Sequence, residues 1–226
     1  MKHIPALLII GAVFFTGCAN YSGYQTKMTP SVEKIEISRL IPLEAGLLIT
    51  EETRNQVFKS PPYPDYKGNF IINYVEPYQL PIGQAFEEAS LKTFSQIFPK
   101  VHLIRNAEEG KNYPVVIEPK LADFNLSLFY TNYGLIFNDE FVDCRCSVKV
   151  TGTLLSQGRP IWQKSIEPPP ATQRWVTTEW LIDNVSELAS DTIVLALKEL
   201  ALLVEKERHG PPPPVRGWLE GIGGKR

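Results

Sequence analysis

Three cysteines are the first place to look for chemistry in these 226 residues. Cys144 and Cys146 lie in "EFVDCRCSVKVTGTLL", where Val142, Cys144, Cys146, Val148 and Val150 alternate with Asp143, Arg145, Ser147, Lys149 and Thr151. That period of two puts both thiols on the apolar face of a half-buried strand. Two residues along a strand span about 6.6 Å, whereas a disulfide wants its Cβ atoms about 3.8 Å apart. A bridge would therefore require the strand to break, and the pair reads as small core residues. A redox or metal pair is the other reading, open in an oxidising compartment. A metal needs further ligands, and beyond the leader the chain supplies only His102 and His209.

Nucleophilic catalysis needs a base within hydrogen-bond reach of the nucleophile. His102 lies in the apolar stretch "VHLI", which suits a structural role, and His209 borders a proline-rich tail that cannot hold it in geometry. Glu87 and Glu88 are neighbours on a helical pattern and point to different faces, while Asp139 and Glu140 flank the start of a strand. A solvated face accounts for both pairs. Two carboxylates across a cleft, as a glycosidase uses them, are neither visible nor excluded. "GIGGKR" near the end follows no strand and precedes no helix, so it is not a phosphate cradle. The expectation is a non-enzyme with no cofactor and no metal.

The remaining thiol, Cys18, ends "LLIIGAVFFTGC". Met1 and Lys2 give a positive start, and the apolar run of about a dozen residues behind them is too short for the roughly 20 a spanning helix needs. It reads as a signal peptide over residues 1–17. Charge, apolar stretch, Gly17 and Cys18 in that order resemble the lipobox of bacterial lipoproteins. The resemblance implies cleavage before Cys18 and covalent attachment there of a diacylglycerol and an acyl chain such as palmitate. Several such chains would hold the protein on a membrane durably, where one is marginal. Ala19 stands where the inner-membrane retention signal of enteric lipoproteins has Asp, so the resemblance also implies the outer membrane, periplasmic face. No later stretch is long and apolar enough to span a bilayer.

These expectations need elements to carry them. Residues 18–31 are small and polar and read as a lipidated tether, followed by one α+β periplasmic domain over residues 32–207. Hydrophobic content of 43% suffices for a core, and a net charge of −2 gives no reason to expect a nucleic-acid partner. "LEAGLLIT" has the length of a first strand, and "LPIGQAFEEASLKTFSQIF" recurs at helical spacing between Pro81 and Pro99. "KVHLI" reads as a strand or extended turn and "RNAEEGKN" as a charged loop. "YPVVIEPKLADFNLSLF" is a long strand bent near Pro119, with Ala122, Phe124, Leu126 and Leu128 on one face. A second long strand, a tight turn at Gln157 and Gly158 and a third strand with Ile161, Trp162 and Ile166 complete a meander. A helical pattern then runs to about residue 207. The expected fold is an antiparallel sheet of about four or five strands covered by two helices, one of them long and C-terminal. Residues 208–226, "HGPPPPVRGWLEGIGGKR" after Arg208, cannot bury a core and read as a disordered tail or, less simply, a docking peptide.

Between the first strand and first helix lies "PPYPDYKGNFIINYVEPYQLP", whose prolines interrupt any long ladder. Its Tyr63, Tyr66, Tyr74 and Tyr78 are candidates for a partner-binding surface, or else fold back over the sheet as a covering loop. The order of elements, with "PIGQAFEEASLKTFSQIF", "YPVVIEPKLADFNLS" and "CSVKVTGTLLSQGRPIWQKSIE", resembles a broad group of envelope lipoproteins. That group includes transport auxiliary, lipopolysaccharide-assembly and curli-secretion lipoproteins. The resemblance implies an accessory or assembly protein that binds another envelope protein, or further copies of itself. The alternative is a periplasmic carrier of an apolar ligand such as lipid. A carrier should enclose an apolar cavity of some hundreds of Å³, and an assembly subunit should have a filled core with an exposed apolar or aromatic patch.

Overall fold

The structure, a computed structural model, describes residues 24–60, 78–132, 140–175 and 181–207. In chain order the elements are β1 (Tyr24–Gln25), β2 (Glu44–Leu48), α1 (Glu51–Arg54), β3 (Phe58–Lys59), β4 (Tyr78–Leu80), α2 (Ile82–Phe94), β5 (Lys100–Ile104), α3 (Ala107–Gly110), β6 (Val115–Asn132), β7 (Glu140–Ser156), β8 (Arg159–Ile166), β9 (Ala171–Trp175) and α4 (Leu181–Glu207).

Alternation in β7 does what its sequence dictates. Val142, Cys144, Cys146, Val148, Val150 and Leu154 are all buried, while Arg145 stays at the surface. β6 pairs antiparallel with β7 along almost its whole length, from Val116 opposite Leu155 to Asn132 opposite Glu140. The ladder slips by one residue between Leu121 and Asp123. That bulge makes Ala122 the unpaired residue and moves the apolar side of β6 from odd to even positions. So Leu121 and Leu126 are buried, whereas Ala122, expected on the same face as Phe124 and Leu126, is exposed.

The sheet has six strands and mixed direction, where a purely antiparallel sheet of four or five was expected. β2 pairs parallel with β5 on one side and with β6 on the other. The cause is the helical crossover: a chain that leaves the far end of β2 and is carried back through α2 re-enters the sheet at the end where β2 began, so the next strand runs parallel to it. The sixth strand arises from three prolines. β8 and β9 both run antiparallel to β7, opposite Val150–Ser156 and Val142–Cys146 respectively. They are two halves of one edge strand, broken at Pro168, Pro169 and Pro170, which have no N–H to donate. Such a break also discourages edge-to-edge pairing with another chain.

A hairpin with positive φ at Gln157 (52°) and Gly158 (75°) joins β7 to β8, the backbone a two-residue turn requires. A smaller sheet, in the order β1, β4, β3, sits beside α2. Phe58 of β3 packs on Phe124 of β6, ring centroids 5.3 Å apart, and so joins the two sheets.

α2 and α4 lie on the same face of the large sheet and against each other. From α2 come Phe86 and Phe94, with Phe98 just beyond it, and from α4 Ile193, Leu197 and Leu200, all fully buried. The layers meet closely at Gly152, where an added Cβ would stand 2.5 Å from Cδ1 and 2.8 Å from Cδ2 of Leu200. A tighter approach occurs at Gly83, whose Cβ would run into the carbonyl oxygens of Thr53 and Arg54, the latter at 2.5 Å. On the opposite face, α3 and Tyr113 cover a minor core of Leu48, Ile104 and Val116. α3 lies in the stretch expected to be a wholly solvated loop; Asn106 caps it by accepting from the Glu109 N–H at 2.9 Å.

The chain enters the fold inside the stretch read as a tether. Tyr24 and Gln25 pair in parallel with Tyr78 and Gln79, and Met28 is 4% exposed within the main core.

Candidate functional site

The small sheet roots the aromatic segment. Ser60 N–H donates to the Tyr78 carbonyl at 3.0 Å, and Tyr78 N–H donates to Ser60 Oγ at 2.9 Å. The described residues on either side of 61–77 are therefore held together. Tyr63, Tyr66 and Tyr74 lie outside the described residues, as do Cys18 and "NFIINYV". Tyr78 does not belong to a surface: it is 2% exposed, part of the main core, its ring 6.4 Å from that of Phe58. The alternation over Tyr78, Gln79 and Leu80 turns the two apolar side chains inward and Gln79 outward.

Two open clefts mark the described surface. One, of about 380 Å³, is lined by Thr26, Lys27, Val57, Gln79, Pro81 and Gln84, beside the small sheet and the start of α2. Val57 there is 45% exposed. The other, of about 370 Å³, is lined by Phe129, Asp143, Cys144, Arg145, Thr172, Gln173 and Arg174 where β6, β7 and β9 run side by side. Phe129 is 48% exposed. Arg174 grips Asp143 with two hydrogen bonds, Nε to Oδ1 at 2.6 Å and Nη2 to Oδ2 at 2.8 Å, and its guanidinium sits 5.8 Å from the Phe141 ring centre. The Arg174 hydrogen bond holds the Asp143 carboxyl below the ordinary carboxylate range, against the smaller opposing effect of desolvation. Neither cleft stands out in the sequence. The second has Arg174 and Trp175 four and five residues after Pro170, a spacing that by itself signals nothing.

The ionisable groups singled out from the sequence serve as struts. Glu87, expected to be solvated, is 17% exposed and held by Arg105 through both guanidinium nitrogens, with Arg54 3.7 Å away. This ties α1, α2 and the end of β5 together. Glu88 does face solvent and pairs with Lys92 at 2.7 Å. His102 is on the outward side of edge strand β5, 44% exposed, 3.6 Å from Glu44 and beside the Tyr113 ring. Cys144 and Cys146 are free and buried. Burial, then the neighbouring Cys146, pushes the Cys144 thiol up to about 12. Burial pushes Cys146 up to about 11, partly offset by a hydrogen bond with Thr192. Thiols held protonated in this way are not nucleophiles at neutral pH.

Among the described residues no group of three or more His, Cys, Asp or Glu could hold a metal ion, and no helix is long and apolar enough to cross a membrane.

No family model and no curated protein matches the chain. Solved structures similar to it include a DUF330 protein of Xanthomonas campestris, at 10% identity and TM-score 0.44 over 80% of this chain and 92% of that one. A minor lipoprotein from Acinetobacter baumannii matches at 11% identity and TM-score 0.37 over 75% and 97%. An uncharacterised lipoprotein B from Nitrosomonas europaea matches at 13% and 0.41 over 79% and 91%. These are likenesses of outline, and two of the three proteins are lipoproteins by name.

Proposed function

We propose that the chain is a lipid-anchored, non-catalytic accessory or assembly lipoprotein of the bacterial cell envelope. In this reading Cys18 carries the lipid, the domain stands on the periplasmic face of the outer membrane, and it binds another envelope protein or further copies of itself. The anchor rests on the leader and Cys18, and the outer-membrane assignment on Ala19.

The observation that favours a binding module over a carrier is the contact between Gly152 and Leu200. A carrier needs room between the helices and the sheet, and there the two layers leave no space for a methyl group. The candidate partner surface is the aromatic segment carrying Tyr63, Tyr66 and Tyr74.

The test is affinity capture of the full-length, lipidated protein from cross-linked cells in mild detergent, with mass spectrometry of proteins and of extractable lipids, against a Cys18→Ala control. A stoichiometric envelope protein that is lost in a Tyr66→Ala/Tyr74→Ala variant supports the reading. Bound lipid without a protein partner overturns it in favour of the carrier.

A further inference from the structure

If Cys18 is the anchor, covalent geometry decides which side of the domain faces the membrane. Five residues, 19–23, separate Cys18 from Tyr24, the first of the described residues, which is paired in the small sheet. Whatever path they take, six Cα steps at about 3.3–3.6 Å each reach about 20 Å at most. A domain of this length is about 40 Å across, from a radius of gyration of about 16 Å. A leash half as long as the domain is wide cannot let the far side turn to the bilayer. The half that carries the small sheet is the half that meets lipid.

What that half presents is suited to a headgroup layer. On the outward side of the small sheet Lys59 stands opposite Gln79 in the ladder. Gln79 shares its cleft with Lys27, Val57, Thr26 and Gln84. Lys27 and Lys59 are exposed, and neither forms an ion pair with another described residue. Two uncommitted ammonium groups, amides that donate to phosphate oxygens and one exposed valine form a small basic face with an apolar centre. The chain as a whole has a net charge of −2, so this local sign is not inherited from composition.

We propose that this face, with Lys27, Val57, Lys59 and Gln79, seats the domain against the anionic phospholipid headgroups of the membrane that holds its anchor. The proposal rests on the lipoprotein reading and adds an orientation to it. Ser60 and Tyr78, between which the aromatic segment is inserted, belong to this membrane-proximal half, so a partner that binds that segment comes to the membrane rather than being reached by a long arm.

The experiment uses the full-length, lipidated protein in vesicles of phosphatidylethanolamine and phosphatidylglycerol, with a fraction of lipid carrying a nitroxide on its headgroup. A fluorophore is placed at Val57→Cys or at Asn125→Cys. Asn125 is exposed next to Phe124 in β6 and points away from the face on which Phe124 meets Phe58. The buried native thiols Cys144 and Cys146 do not compete for label. The expected result is strong quenching at position 57 and little at 125. Each lysine near an anionic surface is worth about fivefold in the seating equilibrium constant, so Lys27→Gln/Lys59→Gln should lower that constant about 25-fold and relieve quenching at 57. Equal quenching at both positions, quenching at 125 alone, or none at either overturns the seat while the anchor stands. Quenching at 57 that ignores the lysine pair overturns the electrostatic basis. Failure of the protein to incorporate labelled palmitate at Cys18 removes the lipoprotein reading itself, a result distinct from all of these.

Discussion

Replacing Gly152 by alanine tests whether the helix layer is filled or hollow. The new Cβ would meet Cδ1, Cδ2 and Cγ of Leu200 at 2.5, 2.8 and 3.1 Å. Leu200 is fully buried between α4 and the sheet, so its side chain must shift within the core to make room. Overpacking of this kind costs about 1–3 kcal/mol. In a chain of this size that corresponds to a fall in Tm of about 2–4 °C per kcal/mol. Leu200→Ala alone should cost about 2–5 kcal/mol, by lost transfer energy and the cavity left behind. Combined, the two changes relieve each other, because the methyl at 152 enters the space vacated at 200. The double variant should be less destabilised than the sum of the singles by about 1–2 kcal/mol. The assay is urea unfolding of the mature chain carrying Cys18→Ala, fitted for midpoint and slope. A Gly152→Ala variant within about 0.5 kcal/mol of its parent, or strict additivity in the double variant, would refute the filled-layer reasoning. Such a result would bring the carrier reading back, since an accommodating Leu200 means empty space beside it.

Gly83→Ala should be the harsher substitution, because the obstacle is the backbone of Thr53 and Arg54 and no rotamer can move it; a loss of about 3–4 kcal/mol is expected, read as a Tm shift by circular dichroism. Gln157→Asn should stabilise, since Asn tolerates the φ of 52° at the hairpin better than Gln; about 0.5 kcal/mol in chemical unfolding is the expected gain. Asp143→Asn tests the Arg174 pair. The folded carboxyl titrates below its ordinary value, so its contribution is present above about pH 4 and is lost as pH falls through the folded value. Both side chains are partly solvated, so the difference from wild type should be about 0.5 kcal/mol at pH 7 and should vanish near pH 2, followed by urea midpoints at the two pH values. Finally, Cys144 and Cys146 should react with an aromatic disulfide reagent only as fast as the protein unfolds; fast labelling of the native state at pH 8 would contradict their burial.

The clearest parts of the fold in the sequence are those in which one residue's environment repeats at a fixed period. Val142 to Val150 declare a half-buried strand, and Leu181, Val185, Leu188 and Ala189 declare the start of α4, because burial recurs every two or about every 3.6 residues. Strand direction leaves no such trace: the parallel neighbours of β2 follow from where α2 returns the chain. A bulge is equally silent, since Ala122 looks like one more apolar residue in register. β9 is hidden because three prolines mark an end, although β7 offers the same chain a second stretch of ladder beyond them. Tyr78 was misleading for a related reason. Strand β4 spans only Tyr78–Leu80, and one alternation over three residues does not stand out from the aromatic segment before it, so in the sequence its ring reads as the end of that segment although it is a core residue. The clefts involve residues from separate elements, such as Lys27, Val57 and Gln79, and no linear spacing brings these together.

The two hydrogen bonds between Ser60 and Tyr78 pin together the two points between which residues 61–77 are inserted. The cost of closing such a loop rises by only about 0.6 kcal/mol when its length doubles. An insertion between Ser60 and Tyr78 is therefore cheap to lengthen so long as these two ends are kept, and chain can be added there while the sheets and helices keep their contacts.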